Sequence, residues 1–193
     1  LAGAEVLFEV ACRAGVPDLV LLDVDHDAIA ARAGTAALVE PVDVRVMLAL
    51  KASPMRRLTT DALSTAVLVS PGHLRRRVIP RLVEGGHLEH ADDGWRSVSD
   101  GRSLARKIIT IEMKRRDWRG GLAQAGRHTA VADEAWLVLD AQTSHAAASH
   151  EDWFSTCSVG LASLSFNGGL TMLVRPTVNR SRPQHRELLV ERA

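Results

Sequence analysis

The chain has 193 residues, of which 46% are hydrophobic and 24% charged, and its formal net charge at neutral pH is +1. This balance is that of a globular protein with one core, or one core and a small satellite, and it excludes a disordered or collagen-like chain. No apolar run is long enough to cross a membrane, and two distant cysteines indicate neither a disulfide framework nor a zinc site. We therefore expect a cytoplasmic protein.

Positive charge is clustered although its total is small. Residues 101–127 contain eight lysines and arginines against two acids, a local charge of +6. A second cluster comprises Arg75, Arg76, Arg77 and Arg81. Clustered arginines of this kind are the electrostatic footprint of nucleic-acid binding, which depends on local charge more than on the total.

A helix and a strand are predicted at the start of the chain. The apolar residues of the segment 1–14 lie on one side of a helix that would end at Gly15. The run LVLLDV, at 19–24, has the length and composition of a strand. An alanine-rich connector follows, and Pro41 places a domain boundary near residue 38.

Three helices and a hairpin are predicted next. Two helices cover 43–52 and 60–69, and a third begins with Ser70 as its cap and Pro71 in its first turn. That third helix ends at the pair Gly85-Gly86, and a hairpin turns at residues 92–94.

The order of these elements over residues 41–99 resembles the winged helix-turn-helix of bacterial regulators. The resemblance implies DNA contacts from the third helix, with Arg75, Arg76, Arg77 and Arg81 as the candidates. Pro80 departs from the pattern, because a proline inside a helix removes a hydrogen bond and predicts a bend.

The last third of the chain alternates strands and helices. A strand at 107–114 (KIITIEMK), a helix from Asp117 and a strand at 135–141 predict a parallel pair joined by a helical crossover. A short helix within 142–157, a hairpin through Asn167-Gly168-Gly169 and a final helix from Pro183 complete the prediction. The fold class is therefore α/β, with a mixed sheet flanked by helices.

Glu112 and Lys114 form the most informative pair in the sequence. Side chains alternate along a strand, so both project from the same face of KIITIEMK. A carboxylate beside an ammonium suits a metal ligand next to a group that orients water, although a surface ion pair has the same pattern.

Other residues place this pair in a family context. Glu5 in a first helix, Pro17-Asp18 before a strand, Glu112-x-Lys114 on the next and Gln124 on a following helix resemble the PD-(D/E)xK, restriction-endonuclease-like, nuclease superfamily. The resemblance covers about residues 1–25 and 105–178. It implies a nuclease-like domain of residues 1–38 and 101–193, interrupted by a winged-helix insertion of residues 39–100, which loop-closure entropy tolerates when the ends of the insertion are close.

The resemblance also implies a metal site and a catalytic set. Mg²⁺ or Mn²⁺ would be bound by Asp18, Glu112, the carbonyl of Met113 and Glu5, since these ions prefer hard oxygen ligands. Glu9 lies one helical turn from Glu5 and is the alternative helix acid. Lys114 would position the nucleophile, and Gln124 completes the catalytic set, with His128 four residues further on where some branches of the family have tyrosine.

The leading hypothesis is thus a Mg²⁺-dependent deoxyribonuclease, associated with the nucleoid, in which the winged helix presents DNA to the site. A second group of arginines would hold the DNA backbone: Arg115, Arg116, Arg119 and Arg127. The alternatives are a transcription regulator on an inactive nuclease-like scaffold and a protein-interaction module. The sequence leaves open whether the protein is a homodimer.

Overall fold

A computed structural model describes residues 3–53, 55, 57–179 and 181–193. The chain divides into two compact units, which are treated separately: unit 1 comprises Leu1–Val24, Ala105–Leu189 and Ala193, and unit 2 comprises Asp25–Leu104 and Val190–Arg192. The divisions after residues 24 and 104 differ from the sequence-based boundaries after 38 and 100. The Asp25 amide donates to the Leu104 carbonyl at 2.8 Å, so the two ends of the segment Asp25–Leu104 meet.

Unit 1 contains a six-stranded mixed sheet with helices. Its strand order is β1-β2-β6-β7-β8-β9, and the β6-β7 and β7-β8 pairs are parallel whereas the other pairs are antiparallel. The strands are β1 (Glu5–Phe8), β2 (Leu19–Val24), β6 (Ala105–Lys114), β7 (Glu134–Asp140), β8 (Val159–Leu164) and β9 (Leu170–Val174). The helices are α6 (Trp118–His128), α7 (Ala141–Ala148), α8 (Glu151–Cys157) and α9 (Pro183–Val190). The mixed α/β class and the parallel crossover through α6 are confirmed.

The first predicted helix is wrong. Within 1–14 the structure has the strand β1 and a loop, while Leu1 and Ala2 lie outside the described residues. Four β1 residues pair antiparallel with β2, with Phe8 opposite Leu19. The apolar residues of this segment fit both a helical and an alternating pattern, and pairing with β2 decides between them.

One hydrophobic core in unit 1 lies between the sheet and the helices α6, α7 and α8. Its largest fully buried side chain is Phe154 of α8. Inward residues of β7 and β8, such as Leu137, Leu139 and Leu161, meet Leu122 of α6 there. This packing fixes α6 against the sheet and so determines which side chains of β6 are covered.

Unit 2 consists of helices and a small sheet. The helices are α1 (His26–Ala31), α2 (Pro41–Ala52), α3 (Thr60–Val67) and a composite helix made of α4 (Pro71–His73), a π-helical segment (Leu74–Val78) and α5 (Ile79–Glu84). The strands, in the order β3-β5-β4, are β3 (Arg57–Leu58), β4 (Leu88–Ala91) and β5 (Gly94–Ser97). The predicted helices and hairpin of this segment are confirmed as elements.

The composite helix accommodates Pro80 by a local change of hydrogen bonding. Ser70 caps it as predicted, since the Ser70 hydroxyl oxygen accepts the His73 amide at 3.3 Å. The π-helical segment lies immediately before α5, which contains Pro80. Proline lacks an amide proton and cannot donate the usual helical hydrogen bond. A π-helical turn is a known cause of altered helix geometry, and here one lies directly before the helix that contains the proline.

Arg81 forms an ion pair within unit 2 that the sequence does not predict. Its Nε and Nη2 atoms donate to the two carboxylate oxygens of Asp43 at 2.8 and 2.7 Å. The Asp43 side chain is only 3% exposed, whereas that of Arg81 is 44% exposed. This pairing raises the pKa of Arg81 and holds α5 against α2. The guanidinium predicted to contact DNA is therefore engaged within the fold.

None of the helices in the described part of the chain has the length and apolar character needed to span a bilayer.

Replacing Arg81 with alanine should lower the free energy of unfolding by about 1.5–3 kcal/mol, because buried Asp43 loses a bidentate charged partner. Urea denaturation measures the change. Arg96→Ala is the matched control: it breaks an ion pair to Glu89 of the same 2.7 Å length, but both partners are about half exposed, so the loss should stay below about 1 kcal/mol. Equal losses in the two variants would contradict a structural role for Arg81.

Candidate active site

The carboxyl end of β6 carries the predicted Glu112-Met113-Lys114 motif. β6 lies between β2 and β7 in the interior of the sheet, and the side chains of Glu112 and Lys114 project towards α6. Met113 projects from the opposite face and is partly exposed. The alternation predicted from the sequence is therefore confirmed, and it places a carboxylate beneath a helix.

Glu112 and Lys114 form a close ion pair at this place. The Lys114 Nζ atom donates to Glu112 Oε1 at 2.7 Å, and the two side chains are 29% and 3% exposed. The hydrogen bond from Lys114 to Glu112 raises the pKa of the lysine, and the charges of Asp18 and Asp117 add to that effect against the opposing effect of burial. Lys114 is consequently an ammonium group at neutral pH, able to donate hydrogen bonds but not to accept a proton.

Asp18 joins the pair from the neighbouring strand. It precedes β2, and the antiparallel pairing of Leu19 with Ile111 places it beside Glu112. One of its carboxylate oxygens, Oδ2, accepts the Met113 amide at 2.6 Å. Asp18 and Met113 are 95 positions apart in the chain, and this hydrogen bond joins them where β2 begins and β6 ends.

One oxygen of Glu112 has no hydrogen-bond partner. Its Oε2 atom is buried and accepts nothing from the described residues, although Oε1 is bound to Lys114. Most buried polar atoms in proteins are hydrogen-bonded, and a buried carboxylate oxygen without a partner costs free energy. Thr110 Oγ1, two residues earlier on β6, is also buried without a partner. The site thus contains two buried oxygens whose hydrogen-bonding capacity is unused by the described residues.

The donor atoms around Glu112 are oxygens, the ligand type that magnesium and manganese ions prefer. Asp18, Glu112 and the Met113 carbonyl would supply hard oxygen ligands. Among residues 3–53, 55, 57–179 and 181–193, no group of three or more His, Cys, Asp or Glu side chains could hold a metal. Two carboxylates are nevertheless a common set for Mg²⁺, which keeps several waters and takes further ligands from a substrate phosphate.

Glu5 does not belong to this group. It lies on β1, opposite Leu22, and β1 does not adjoin β6. Because Leu22 itself pairs with Ile108, Glu5 lies four residues from Glu112 along the strand direction, or roughly 13 Å, in addition to the width of two strand spacings. Glu5 is therefore in a strand and not in a helix, and it does not lie beside Glu112. Both parts of the prediction for Glu5 are wrong.

Glu9, the alternative acid, lies in the loop after β1. Its amide donates to the Asp18 carbonyl at 3.2 Å, and its φ of 51° is in the left-handed region. The backbone of Glu9 is therefore next to the site. Its carboxylate does not join Asp18 and Glu112 in a group of three metal-ligating side chains within the described residues.

Helix α6 packs over Lys114 through Gly121, and Gln124 and His128 lie on the same helical face as this glycine. Gly121 packs against the Lys114 side chain, and Gln124 follows it along the helix and is half-buried. Helical spacing puts Gln124 on the same face as Gly121, and its role at the site stays a prediction.

His128 is buried in the structure. Burial, helped by the charge of Arg127 and opposed by that of Asp18, lowers its pKa to about 4. The imidazole is thus neutral at neutral pH, and its Nδ1 atom is buried with no partner among the described residues. Its helical spacing from Gln124 was the signal that could have assigned it to this face.

Apart from Arg81, which is partly exposed but paired with Asp43, the predicted DNA-contacting arginines lie at exposed positions. In unit 1 they are Arg115, Arg116, Arg119 and Arg127, and in unit 2 they are Arg75, Arg76 and Arg77. The Arg119 guanidinium lies 4.4 Å from the centre of the Trp118 ring, which restricts its orientation. Arg75 is paired with Asp61 at 3.3 Å on an exposed face. Each unit therefore presents basic groups to solvent.

Comparison of the chain with family models, with curated proteins and with solved structures found no match in any of the three.

The close fit of α6 over Lys114 yields a prediction. A Cβ atom on Gly121 would lie 2.6 Å from Leu137 Cδ1 and 2.9 Å from Lys114 Cγ, whereas one on Gly126 of the same helix would meet nothing within 4 Å. Gly121→Ala should therefore lower the free energy of unfolding by about 1–3 kcal/mol through overpacking. Gly126→Ala should raise it by about 0.5–1 kcal/mol, because alanine is the better helix former. Denaturant titration compares the two, and similar stabilities would show that α6 is not packed on Lys114.

Proposed function

We propose that this chain is a Mg²⁺- or Mn²⁺-dependent endonuclease that hydrolyses phosphodiester bonds in DNA. The observation that carries the proposal is the buried, partnerless Oε2 atom of Glu112, in a group that also holds Asp18 and an ammonium. A surface ion pair, the simplest alternative, does not explain a buried carboxylate with half of its hydrogen-bonding capacity unused. The resemblance to PD-(D/E)xK nucleases points to the same three residues, Asp18, Glu112 and Lys114.

Charge balance at the site favours a divalent cation. Two carboxylates, Asp18 and Glu112, face one ammonium, and the neutral His128 adds no positive charge. A bound cation would lower the pKa of a water molecule and stabilise negative charge on the scissile phosphate. Asp18, Glu112 and the Met113 carbonyl are the residues that would hold it.

Lys114 acts in this proposal as a positioned donor. Its raised pKa keeps it protonated, and its bond to Glu112 Oε1 fixes the ammonium close to the carboxylates. A protonated lysine can orient an attacking water by its hydrogen bonds or stabilise charge on a phosphate oxygen. The proton released by the water must therefore go to another acceptor, such as solvent or a phosphate oxygen.

Binding of DNA is assigned to the exposed arginines of both units. Three helices and a hairpin in unit 2 support the resemblance to a winged helix, and Arg75, Arg76 and Arg77 lie on exposed positions of its composite helix. Arginine contacts to phosphates give salt-sensitive affinity with little sequence preference. Tethering a DNA-binding unit to a cleavage unit raises the local concentration of substrate without new contacts in the active site.

Lys114→Ala should lower the rate of plasmid nicking in Mg²⁺ by about 10²–10³-fold, as loss of one transition-state donor does in other enzymes. Its affinity for DNA should stay within about twofold of wild type, because many arginines share the phosphate contacts. Lys107→Ala is the matched control: Lys107 lies on the same strand as Lys114, well before the site, and pairs with Glu134 of β7 at 2.7 Å. Its nicking rate should be unchanged.

Two results would reject the proposal. Wild-type protein that cuts neither single-stranded, duplex nor branched DNA in Mg²⁺ or Mn²⁺ is not this enzyme. Sequence-specific binding that is indifferent to metal and to Asp18→Ala would instead support a regulator built on a nuclease-like scaffold.

A further inference from the structure

A cleft of about 740 Å³ opens in unit 1 at the carboxyl ends of the parallel strands β6, β7 and β8. Lys114 forms part of its lining, so the cleft adjoins the candidate active site. Sites at the carboxyl ends of parallel strands are the usual ligand positions in open α/β sheets. The volume is within the range of pockets that hold molecules of nucleotide size.

One side of the cleft is basic. Lys114 and Arg115 line it, and the Arg115 carbonyl accepts the hydroxyl of Thr143 at 2.7 Å, which fixes the backbone there. Asp140 also lines the cleft, but its Oδ1 accepts the Gln142 amide at 2.8 Å and caps α7. Lys114 and Arg115 are the cations that would contact a phosphate on this side, and the Asp140 carboxylate is held at the start of α7.

The other side of the cleft is apolar and ends in an aromatic ring. Leu164 and Phe166 line it, and Phe166 is fully exposed to solvent. The turn that carries Phe166 is held by hydrogen bonds from the Ser165 amide to Gly169 and from the Gly168 amide to Ser165, both of 2.9 Å. Gly168 has φ +83°, which a glycine adopts without strain. These hydrogen bonds fix the backbone of the turn that carries the ring.

We propose that this cleft binds an unpaired nucleotide next to the scissile phosphate, with the base stacked on Phe166 and its phosphate near Lys114 and Arg115. The inference rests on the proposed nuclease function and specifies its substrate class as single-stranded DNA or DNA with an unpaired base at the cut. In a fully paired duplex both faces of each base are covered by neighbours, so Phe166 has no face to stack on. An aromatic ring and two cations that line one cleft are a combination that binds single strands.

The test is the binding of a short single-stranded oligonucleotide that contains 2-aminopurine, whose fluorescence is quenched by stacking, in EDTA so that no cleavage occurs. Phe166→Ala should weaken binding by about 5- to 150-fold and remove the quenching, as loss of one stacking ring does. Phe166→Trp should retain both. Phe8→Ala is the matched control, since Phe8 is also an exposed phenylalanine of unit 1 but lies on β1. Affinity for a fully paired duplex should be the same in all four proteins.

The outcomes separate this inference from the proposed function. If Phe166→Ala binds and quenches the single strand as wild type does, the inference is overturned, while nicking that depends on Lys114 still supports the nuclease. Quenching that depends on Phe166, in a protein that never cuts DNA, supports the nucleotide cleft and rejects the nuclease. If Phe166→Ala instead converts a dimer into a monomer with unchanged single-strand affinity, the ring packs on a second copy and the inference fails.

Discussion

Burial of the Glu112 carboxylate beneath α6 costs free energy, and only one of its oxygens is compensated by a hydrogen bond, from Lys114. Several features of unit 1 follow from this constraint. Gly121 leaves room for the lysine stem, and Asp18 is held beside the pair by the Met113 amide. A leucine of similar volume at 112 would avoid the cost, so a function is the best reason for a buried acid at this position.

The segment Asp25–Leu104 separates β2 from β6 in the chain, and its two ends meet. The Asp25 amide and the Leu104 carbonyl are hydrogen-bonded at 2.8 Å, and β2 and β6 pair side by side up to Val24 and Ala105. The entropic cost of closing a loop grows slowly with its length. A long segment can therefore connect two strands that are neighbours in the sheet. Asp18 and Glu112 are thus distant in the chain and adjacent in the sheet.

Local sequence patterns predicted much of this protein, and the failures share a physical cause. Four features depend only on residues that are close in the sequence: β2, β6, helix α6 and the cap at Ser70. The sequence predicted all four. β1 is short and lies at the edge of the sheet, where only its pairing with β2 distinguishes a strand from a helix. The pairing of Arg81 with Asp43 joins residues 38 positions apart, and such tertiary contacts leave no periodic signal. Glu112 and Lys114 were predicted because alternation along one strand is enough to bring them together.

The central claim is that Asp18 and Glu112 hold one divalent cation beside Lys114. X-ray analysis of crystals soaked in Mn²⁺ tests it most directly, because the anomalous signal locates the ion independently of activity. The account predicts a single peak within about 2.5 Å of an oxygen from each carboxylate, which is the range of hard-cation coordination, and its loss in Glu112→Gln. No peak between these carboxylates at saturating Mn²⁺, or a peak that persists in Glu112→Gln, would contradict it.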